Sequence, residues 1–277
     1  MKKKHISTII IALIFLAGLG FLLYPTVSNL WNRAHQSHAI ATYTKQVEKL
    51  DDSQNKEMLK AASKYNKSLL KKSDHWKLSK KDKKRYESLL DVSGTGIMGY
   101  IEVPKIDCSL PIYHGTDEGA LQIAIGHLEG SSLPVGGKST HCVLSGHRGL
   151  PSARLFTDLD QMEEGDIFVL NVLGRKLAYE VDQIKVVLPD EMSDLEIVQG
   201  KDLCTLVTCT PYGINTHRLL VRGHRTKYIE ETVVRVQKEA EKKETGIWLL
   251  AGGGAVFLII IIIVVGKRRR KRRTLKR

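Results

Sequence analysis

The stretch 205–223, TLVTCTPYGINTHRLLVRG, holds two short apolar runs separated by a Pro-Tyr-Gly turn. Short runs that are rich in Val, Leu and Thr and bounded by turn residues predict two β-strands. Cys209 ends the first run, and Arg218 begins the second one nine residues later. A thiol at the mouth of a buried strand, facing a guanidinium across a turn, indicates a functional site rather than a structural cysteine.

Similar strand-like runs extend outward from this stretch in both directions. They are 97–103, 109–113, 141–144, 167–172, 176–181, 184–188, 204–208 and 219–221. Leu173-Gly174-Arg175 marks a hairpin between two of them. Short strands separated by Gly, Pro and Asp turns, with few internal helices, predict a mostly β fold that closes or nearly closes into a barrel.

His147 lies in SGHRG, 145–149, directly after an apolar run. A cysteine nucleophile needs a base or a nearby cation, and a histidine can later return the proton to a leaving amine. Arg218 can stabilise an oxyanion in a site that excludes water. Taken singly, Cys209 could be a buried thiol, His147 a turn residue and Arg218 a surface charge. Together at strand ends, the three side chains predict covalent acyl transfer.

Three further cysteines, Cys108, Cys142 and Cys204, lie in or beside apolar runs, as packed thiols do. Cys142 precedes His147 by five positions and Cys204 precedes Cys209 by five, so parallel neighbouring strands would place them at the same level. A disulfide between them is the alternative to two packed thiols, since an exported protein permits one. A zinc site is disfavoured, because the sequence contains neither a CxxC pair nor an HExxH motif.

The formal net charge of +13 is concentrated at the two ends of the 277-residue chain. Three lysines at 2–4 and nine basic residues in 267–277 supply 12 of these charges, so the body between them is near neutral. A body that binds nucleic acid would be expected to carry a basic patch of its own. The charge distribution therefore argues against nucleic acid as a partner.

Each basic end adjoins an uncharged apolar run that is long enough to cross a bilayer, at 6–24 and 247–266. A cleaved signal peptide is the alternative for the first run, but no clear small-x-small cleavage site follows it. KKETG at 242–246 has the layout of a cell-wall sorting signal but lacks the Leu-Pro that opens one. The two runs therefore predict a two-pass protein of the cell membrane, with cytoplasmic termini and an extracellular catalytic domain.

Segment 30–72 is polar and lysine-rich, with apolar residues at spacings of three and four. This pattern predicts one or two amphipathic helices, broken near 51–53. The predicted organisation is a basic end and membrane anchor at 1–24, a helical N-terminal region at 25–92, a catalytic barrel at 93–228, a stalk at 229–246, a membrane helix at 247–266 and a basic tail at 267–277.

Three motifs carry a resemblance to a known family. They are GIMGYIEVPKI at 96–106, SGHRGLPSARLFTDLD at 145–160 and the opening stretch at 205–223. The chain resembles the sortases of Gram-positive bacteria, and within them class C, the pilus-assembling branch, over about 86–225. The resemblance implies an eight-stranded sortase-type β-barrel with the active site at one end of a groove.

By motif position, the resemblance implies that Cys209 is the nucleophile and His147 the general acid and base. Arg218 would hold the oxyanion and orient the substrate. The thiol would attack the threonine carbonyl of an LPXTG-like sorting signal on a pilin or surface protein and expel the segment that begins with Gly. In class C, the acyl group then passes to a lysine amine of the next pilin. The resemblance implies no metal and no organic cofactor.

Class C sortases also share a lid, an Asp-Pro-aromatic segment over the active site. The matching residues here are Asp74, His75 and Trp76, in a lid segment that we define as 73–78. The alternative is an ordinary solvated loop over 71–84.

If the lid operates, the resemblance implies that Asp74 pairs with Arg218 and that Trp76 covers Cys209. His75 stands where the family has proline. Because proline fixes φ, its absence predicts a more flexible lid. An imidazole at this position also predicts that lid closure is pH-sensitive.

Two rival functions stay open beside pilus polymerisation. Within the family, the enzyme could anchor surface proteins to peptidoglycan through the amine of a wall crossbridge. From a different class, the chain could be a non-catalytic scaffold at the cell surface. A papain-like hydrolase is disfavoured, because no partner Asn or Asp follows His147 in the manner that such enzymes require.

Overall fold

The computed structural model describes residues 2–238 of the chain. The predicted membrane helix at 247–266, the basic tail at 267–277 and the C-terminal part of the predicted stalk lie outside the described residues. The helices are α1 Lys2–Val47, α2 Asp52–Leu69, α3 Lys80–Glu87 and α4 Glu118–Leu121, and the chain is helical again from 230 to the last described residue, 238. The strands are β1 Ile97–Val103, β2 Cys108–His114, β3 Ile125–His127, β4 Thr140–Ser145, β5 Ile167–Val172, β6 Arg175–Val187, β7 Asp202–Thr210 and β8 His217–Arg225.

Helix α1 runs without a break from the apolar run into the polar segment, and it contains Pro25. The sequence predicts a membrane anchor and a separate amphipathic helix here, whereas in the structure both belong to one continuous helix. Among residues 2–238, α1 is the one helix long and apolar enough to cross a membrane, over Leu13–Val47, and its apolar window is not buried. This finding suggests an N-terminal membrane anchor.

The predicted helix break near 51–53 is confirmed. Helix α1 ends at Val47, and α2 begins after Asp51, whose carboxylate accepts a hydrogen bond from the Gln54 backbone N–H at 2.8 Å. The Gln54 side chain in turn accepts from the Asp51 N–H at 3.0 Å. This reciprocal capping box satisfies donors that a helix start leaves unpaired, and it fixes the point where α2 begins.

The eight strands form a closed barrel in the order β1-β2-β3-β4-β7-β8-β6-β5, which confirms the predicted fold class. Neighbours are antiparallel except for two parallel pairs, β2 with β3 and β4 with β7. The predicted hairpin is also present, since Leu173 and Gly174 have φ of 49° and 73° between β5 and β6. Positive φ at both central residues is typical of the turns that join twisted strands.

Two predicted elements differ from the structure, although the strand count is unchanged. The runs 176–181 and 184–188 are one strand, β6, with a register shift between Val181 and Gln183. Conversely, the three-residue strand β3 was not predicted. Its Ile-Gly-His sequence is too short for an alternating pattern, and it pairs only because β2 and β4 lie on either side of it.

The wall formed by β4, β7 and β8 buries side chains on both of its faces, because successive residues of a strand point in opposite directions. The main core takes one set of alternate side chains: Cys142, Leu144, Cys204, Leu206, Leu219 and Val221. On the opposite face, a second group forms what we call the outer cluster: Val143, Val187, Leu195, Val207 and Leu220. Leu195 belongs to the β6–β7 connection, which therefore covers part of the outer face.

Candidate active site

Cys209 and Arg218 are directly opposite each other in the antiparallel pair formed by β7 and β8. Side chains of such a pair project from the same face of the sheet, with Cα atoms about 4.5–5.5 Å apart. Cys209 follows Val207 of the outer cluster by two positions, so it lies on the outer face of the barrel. The thiol and the guanidinium therefore share one end of that face.

His147 reaches the same place through the parallel pair formed by β4 and β7. Ser145 is in register with Val207, and the Gly146 N–H donates to the Val207 carbonyl at 3.0 Å. The buried Thr208 hydroxyl donates to the Gly146 carbonyl at 2.7 Å. Continuing this register by two residues places His147 level with Cys209.

Gly146, directly before His147, allows the backbone to pack closely against Phe156 and Ile125. A Cβ at this position would lie 2.7 Å from the Phe156 ring and 2.9 Å from Ile125. The Phe156 N–H also donates to the His147 carbonyl at 3.1 Å. The tight packing and this hydrogen bond fix the backbone that carries the imidazole.

The imidazole of His147 has a buried Nε2 atom without a hydrogen-bond partner within residues 2–238. Buried polar atoms are nearly always hydrogen-bonded, so this unpaired nitrogen calls for an explanation, and proton transfer is one that an imidazole can supply. A neutral imidazole nitrogen in this state can accept the proton of a thiol. Through the strand register, Cys209 thus has His147 on the β4 side and Arg218 on the β8 side.

Arg218 is held by the turn between β7 and β8. Its Nη1 atom donates to the carbonyls of Asn215, at 3.3 Å, and His217, at 3.1 Å. These contacts restrain a long side chain that would otherwise lose rotamer freedom during the reaction. The guanidinium is therefore anchored to the turn that follows Cys209.

Sequence reasoning missed Arg148, which follows His147 directly. Its side chain is only 9 % exposed, it pairs with Asp160, and its Nη1 donates to the Thr210 hydroxyl at 3.3 Å. It also lies 5.9 Å from the centre of the Tyr212 ring. Arg148 thus ties the two residues on either side of Pro211 to the histidine loop. The single arginine of SGHRG, directly after the predicted base, was the available signal.

The comparisons with known proteins point to one family. The Sortase domain matches residues 101–226. The crystal structure of sortase C1 from Streptococcus agalactiae superposes with a TM-score of 0.68 at 52% identity, covering 69% of this chain and 100% of that one. The chain belongs to the sortase family. Its family and homologues indicate a cysteine transpeptidase, and sortases are cell-surface enzymes.

Two further relatives define how far the similarity extends. Clostridium perfringens sortase C, whose structure was solved with the C-terminal cell wall sorting motif, is 44% identical with a TM-score of 0.61, over 69% of this chain and 100% of that chain. Sortase D of Bacillus subtilis (strain 168) is 32% identical over 130 residues. This match covers 46% of the present chain and 63% of the curated relative.

The other three cysteines of this sortase lie away from the outer-face site, and all four thiols are free. Burial raises the pKa of Cys108 to about 12 and that of Cys204 well above its ordinary range. Burial acts in the same direction on Cys142, but hydrogen bonds with Cys204 and His127 outweigh it and lower its pKa to about 6. Cys142 is 3% exposed inside the barrel, so no peptide can reach it.

Cys142 and Cys204 are register partners in β4 and β7, as the sequence predicts. Both are free thiols, which agrees with packed cysteines rather than a disulfide. Among residues 2–238, no group of three or more His, Cys, Asp or Glu side chains could hold a metal ion.

The prediction that Asp74 forms an ion pair with Arg218 is wrong. The Asp74 carboxylate pairs instead with Lys77, at 3.1 Å, which lowers the pKa of Asp74, and Arg218 donates to backbone carbonyls. The physical reason is distance along the chain: Lys77 is three residues away on the same exposed segment, so the pair forms at low entropic cost. The lid segment therefore contains its own counter-ion.

Trp76 packs against the outer cluster, which contains Val207 two positions before Cys209. Its indole N–H donates to Glu196, in the β6–β7 connection, at 2.8 Å. The contacts of Trp76 are therefore with the outer cluster and Glu196, and the expectation that it covers Cys209 itself remains a prediction.

His75 is 8% exposed and makes two hydrogen bonds, to the Gly130 carbonyl and to Glu196, each at 2.9 Å. Proline could make neither of them. A Cβ on Gly130 would lie 2.6 Å from the His75 carbonyl oxygen, so the lid segment rests closely on that loop. The side-chain contacts of His75 thus hold the lid segment at the position where proline would restrict the backbone.

Proposed function

We propose that this sortase is a membrane-bound cysteine transpeptidase that cleaves LPXTG-like sorting signals between Thr and Gly. The observation that carries the proposal is the register of three strands. It places Cys209, Arg218 and His147 at one end of the same outer face. The substrate peptide would lie along the groove that contains the outer cluster.

In the first half-reaction, the Cys209 proton passes to His147, and the sulfur bonds to the threonine carbonyl carbon. The resulting oxyanion is stabilised by Arg218. The bond between carbon and nitrogen then breaks, and the imidazolium gives its proton to the amine that begins with Gly. The product is a thioester on Cys209.

In the second half-reaction, an amine attacks the thioester and the Cys209 thiolate leaves. His147 takes the proton of the attacking amine and passes it to the Cys209 thiolate, so the site returns to its starting state. We propose that the amine is a lysine side chain of a pilin, which gives an isopeptide bond and a growing pilus. The class C sortases among the structural neighbours support this choice over anchoring to peptidoglycan.

We further propose that the lid segment 73–78 limits access to the groove. Trp76 occupies the outer cluster, where substrate side chains would have to bind. His75 and Trp76 hold this arrangement through one carboxylate, Glu196. The segment would have to leave the cluster before a sorting signal enters.

A trapping experiment tests the reaction. The full chain is incubated with a peptide that carries an LPXTG motif, and intact-mass spectrometry locates the acyl group. We expect a thioester on Cys209 that disappears when a pilin lysine or hydroxylamine is added. The variant C108A is the matched control and should form the same adduct. An adduct on another residue, or none with any sorting-signal peptide, would contradict the proposal.

The acceptor is tested separately. The enzyme is incubated with a purified pilin or with a peptidoglycan precursor, and the products are separated in SDS. Ladders of covalent pilin multimers are expected, and they should be lost when acceptor lysines are replaced. Transfer to the wall precursor alone would instead support the anchoring function.

A further inference from the structure

The length of helix α1 sets the distance between the membrane and the barrel. The 19 residues of 6–24 span about 28 Å as a helix, close to the thickness of a bilayer's hydrocarbon core. Because α1 continues without interruption, Asn29 lies about 8 Å beyond Tyr24, and Asn32 about 12 Å beyond it. Headgroups occupy roughly 5–8 Å on each side of the core. Asn29 is therefore level with the headgroups.

The catalytic end of the barrel is tied to this level. The Arg154 backbone N–H donates to the Asn29 side chain at 3.0 Å, and the Asn32 side chain donates to the Ser152 carbonyl at 2.8 Å. On the barrel side, the Arg154 N–H and the Ser152 carbonyl both belong to the loop that follows His147. The loop that carries the general base is thus fastened to α1 within two turns of the apolar run.

A cavity of about 540 Å³ lies between α1 and the catalytic end. Its lining includes Pro25, Leu30, Leu150, Pro151 and Tyr212. Tyr212, three residues after Cys209, is 60% exposed, and Ile214 in the same turn is 67% exposed. Exposed apolar and aromatic side chains beside a membrane helix are typical of a membrane interface, where tyrosine is enriched.

The charged residues near the cavity do not suggest a specific phosphate site. Arg33 pairs with Asp107 at 2.8 Å, and Arg154 pairs with Asp158. Both guanidinium groups therefore have carboxylate partners. The apolar rim and the height set by α1 together favour the bilayer surface itself as the occupant.

We propose that the catalytic end of this sortase faces the membrane that α1 crosses, with Tyr212 and the loop 150–154 in contact with the headgroup layer. The occupant of the cavity mouth is lipid of that same membrane. Because Tyr212 is within about 10 Å of Cys209 along the chain, the thiol works close to the bilayer surface. This consequence rests on the proposed function: the preferred signals would carry their cleavage motif only a few residues outside their own membrane helix.

Photo-crosslinking tests the surface without depending on activity. The full chain is placed in vesicles of phosphatidylglycerol and phosphatidylcholine, with benzoylphenylalanine replacing Tyr212 or, in a second protein, Pro151. The control replaces Val198, which is 43% exposed near the start of β7, about 25–30 Å from the catalytic end along that strand. Lipid adducts are counted by mass spectrometry.

We expect lipid adducts at 212 or 151 that exceed those at 198 at least tenfold. Yields at both positions no higher than at 198 would overturn the proposal. So would crosslinks from both positions to protein, including the segment 247–266, in place of lipid. Since the two reporters lie in different loops, a folding defect in one variant leaves the other informative.

The spacer length is then varied in membrane-embedded signals. In vesicles, we expect a motif about three residues from the substrate's membrane helix to be cleaved at least fivefold faster than one about fifteen residues away. In detergent, the difference should disappear. Equal cleavage in vesicles would overturn the substrate preference, whereas failure to cleave either signal would count against the proposed function and leave the lipid adducts unaffected.

Discussion

Strands β4 and β7 lead to two pairs of matched residues that occupy opposite faces of the barrel wall, Cys142 with Cys204 and His147 with Cys209. Cys142 and Cys204 are register partners inside the barrel, 3% and 0% exposed. Five residues further along the chain from each, His147, just beyond the end of β4, and Cys209, in β7, lie on the outer face, half-buried. Because five is an odd number, the direction of the side chains is reversed. Similar chemistry is therefore inert in one place and accessible in the other.

The histidine beside the buried pair, His127, also differs from His147 in its hydrogen bonds. His127, beside Cys142, is fully buried and bonded to the Tyr86 hydroxyl at 3.0 Å and to the Ser131 hydroxyl at 3.1 Å. His147 has a buried Nε2 without a partner within the described residues. A fully hydrogen-bonded imidazole supports the fold, whereas an unpaired nitrogen is what the proposed role of His147 in proton transfer requires. Hydrogen bonding and access, not residue type, separate the core from the site.

Replacing one sulfur from each pair should give the largest contrast. C209A is expected to lower transpeptidation by about 10³-fold or more, because no other thiol of the chain lies level with His147 and opposite Arg218. C204A should keep the rate per folded molecule and lose about 1 kcal/mol of unfolding free energy from a small cavity. Joining assays and urea unfolding measure the two effects. Full joining by C209A would remove the distinction between the pairs.

The histidines sharpen the comparison. H147A is expected to slow acylation about 10²- to 10⁴-fold, because proton transfer to and from the imidazole is lost. H127A should instead destabilise the fold by roughly 1–3 kcal/mol, since Tyr86 and Ser131 lose a buried partner. Single-turnover rates at several pH values separate chemistry from folding. A larger rate loss in H127A than in H147A would show that His147 is not the base.

Arginines on β8 offer a matched pair on one face. Arg218 is opposite Cys209, whereas Arg222, four positions later, bonds Asp182 at 2.9 Å. R218A should reduce the acylation rate about 10- to 10³-fold through loss of oxyanion stabilisation. R222A should change it by less than about twofold, as expected for a partly exposed ion pair. Similar losses in both variants would point to a general charge effect.

The lid gives the smallest expected effect and a pH dependence. W76A should raise the reaction rate of Cys209 with a thiol reagent by about tenfold, the equivalent of one hydrogen bond to a charged group. K77A, on the same exposed segment, is the control. An unchanged rate in W76A would remove the lid proposal.

Acidification should act in the same direction as W76A. The Trp76 indole hydrogen bond, followed by the bond from His75, lowers the pKa of Glu196 below its ordinary 4.5, while Asp74 nearby acts to raise it. A lowered pKa in the closed state means that closure is favoured when Glu196 is ionised and is lost as pH falls through that pKa. E196Q should therefore react faster with the thiol reagent at neutral pH, and its rate should lose this acid dependence. A wild-type pH response in E196Q would exclude Glu196 as the titrating contact.

Much of the barrel was predictable, because strand periodicity and turn residues are local signals. The strand β3 was not, since three residues carry no period and its pairing depends on two neighbours. The partner of Asp74 was also mispredicted. An exposed carboxylate pairs with whichever cation lies within reach, and sequence motifs do not encode that choice.

By itself, the sequence determined the fold class, the family resemblance and the three residues proposed for catalysis, because strand length, turn chemistry and motif spacing are written along the chain. Only the tertiary structure decided which face those residues occupy, which histidine keeps an unpaired nitrogen and how α1 holds the catalytic loop near the apolar run. These features depend on strand register and on contacts between residues more than 100 positions apart, such as Asn29 and Arg154. Such contacts form only when the whole chain packs together.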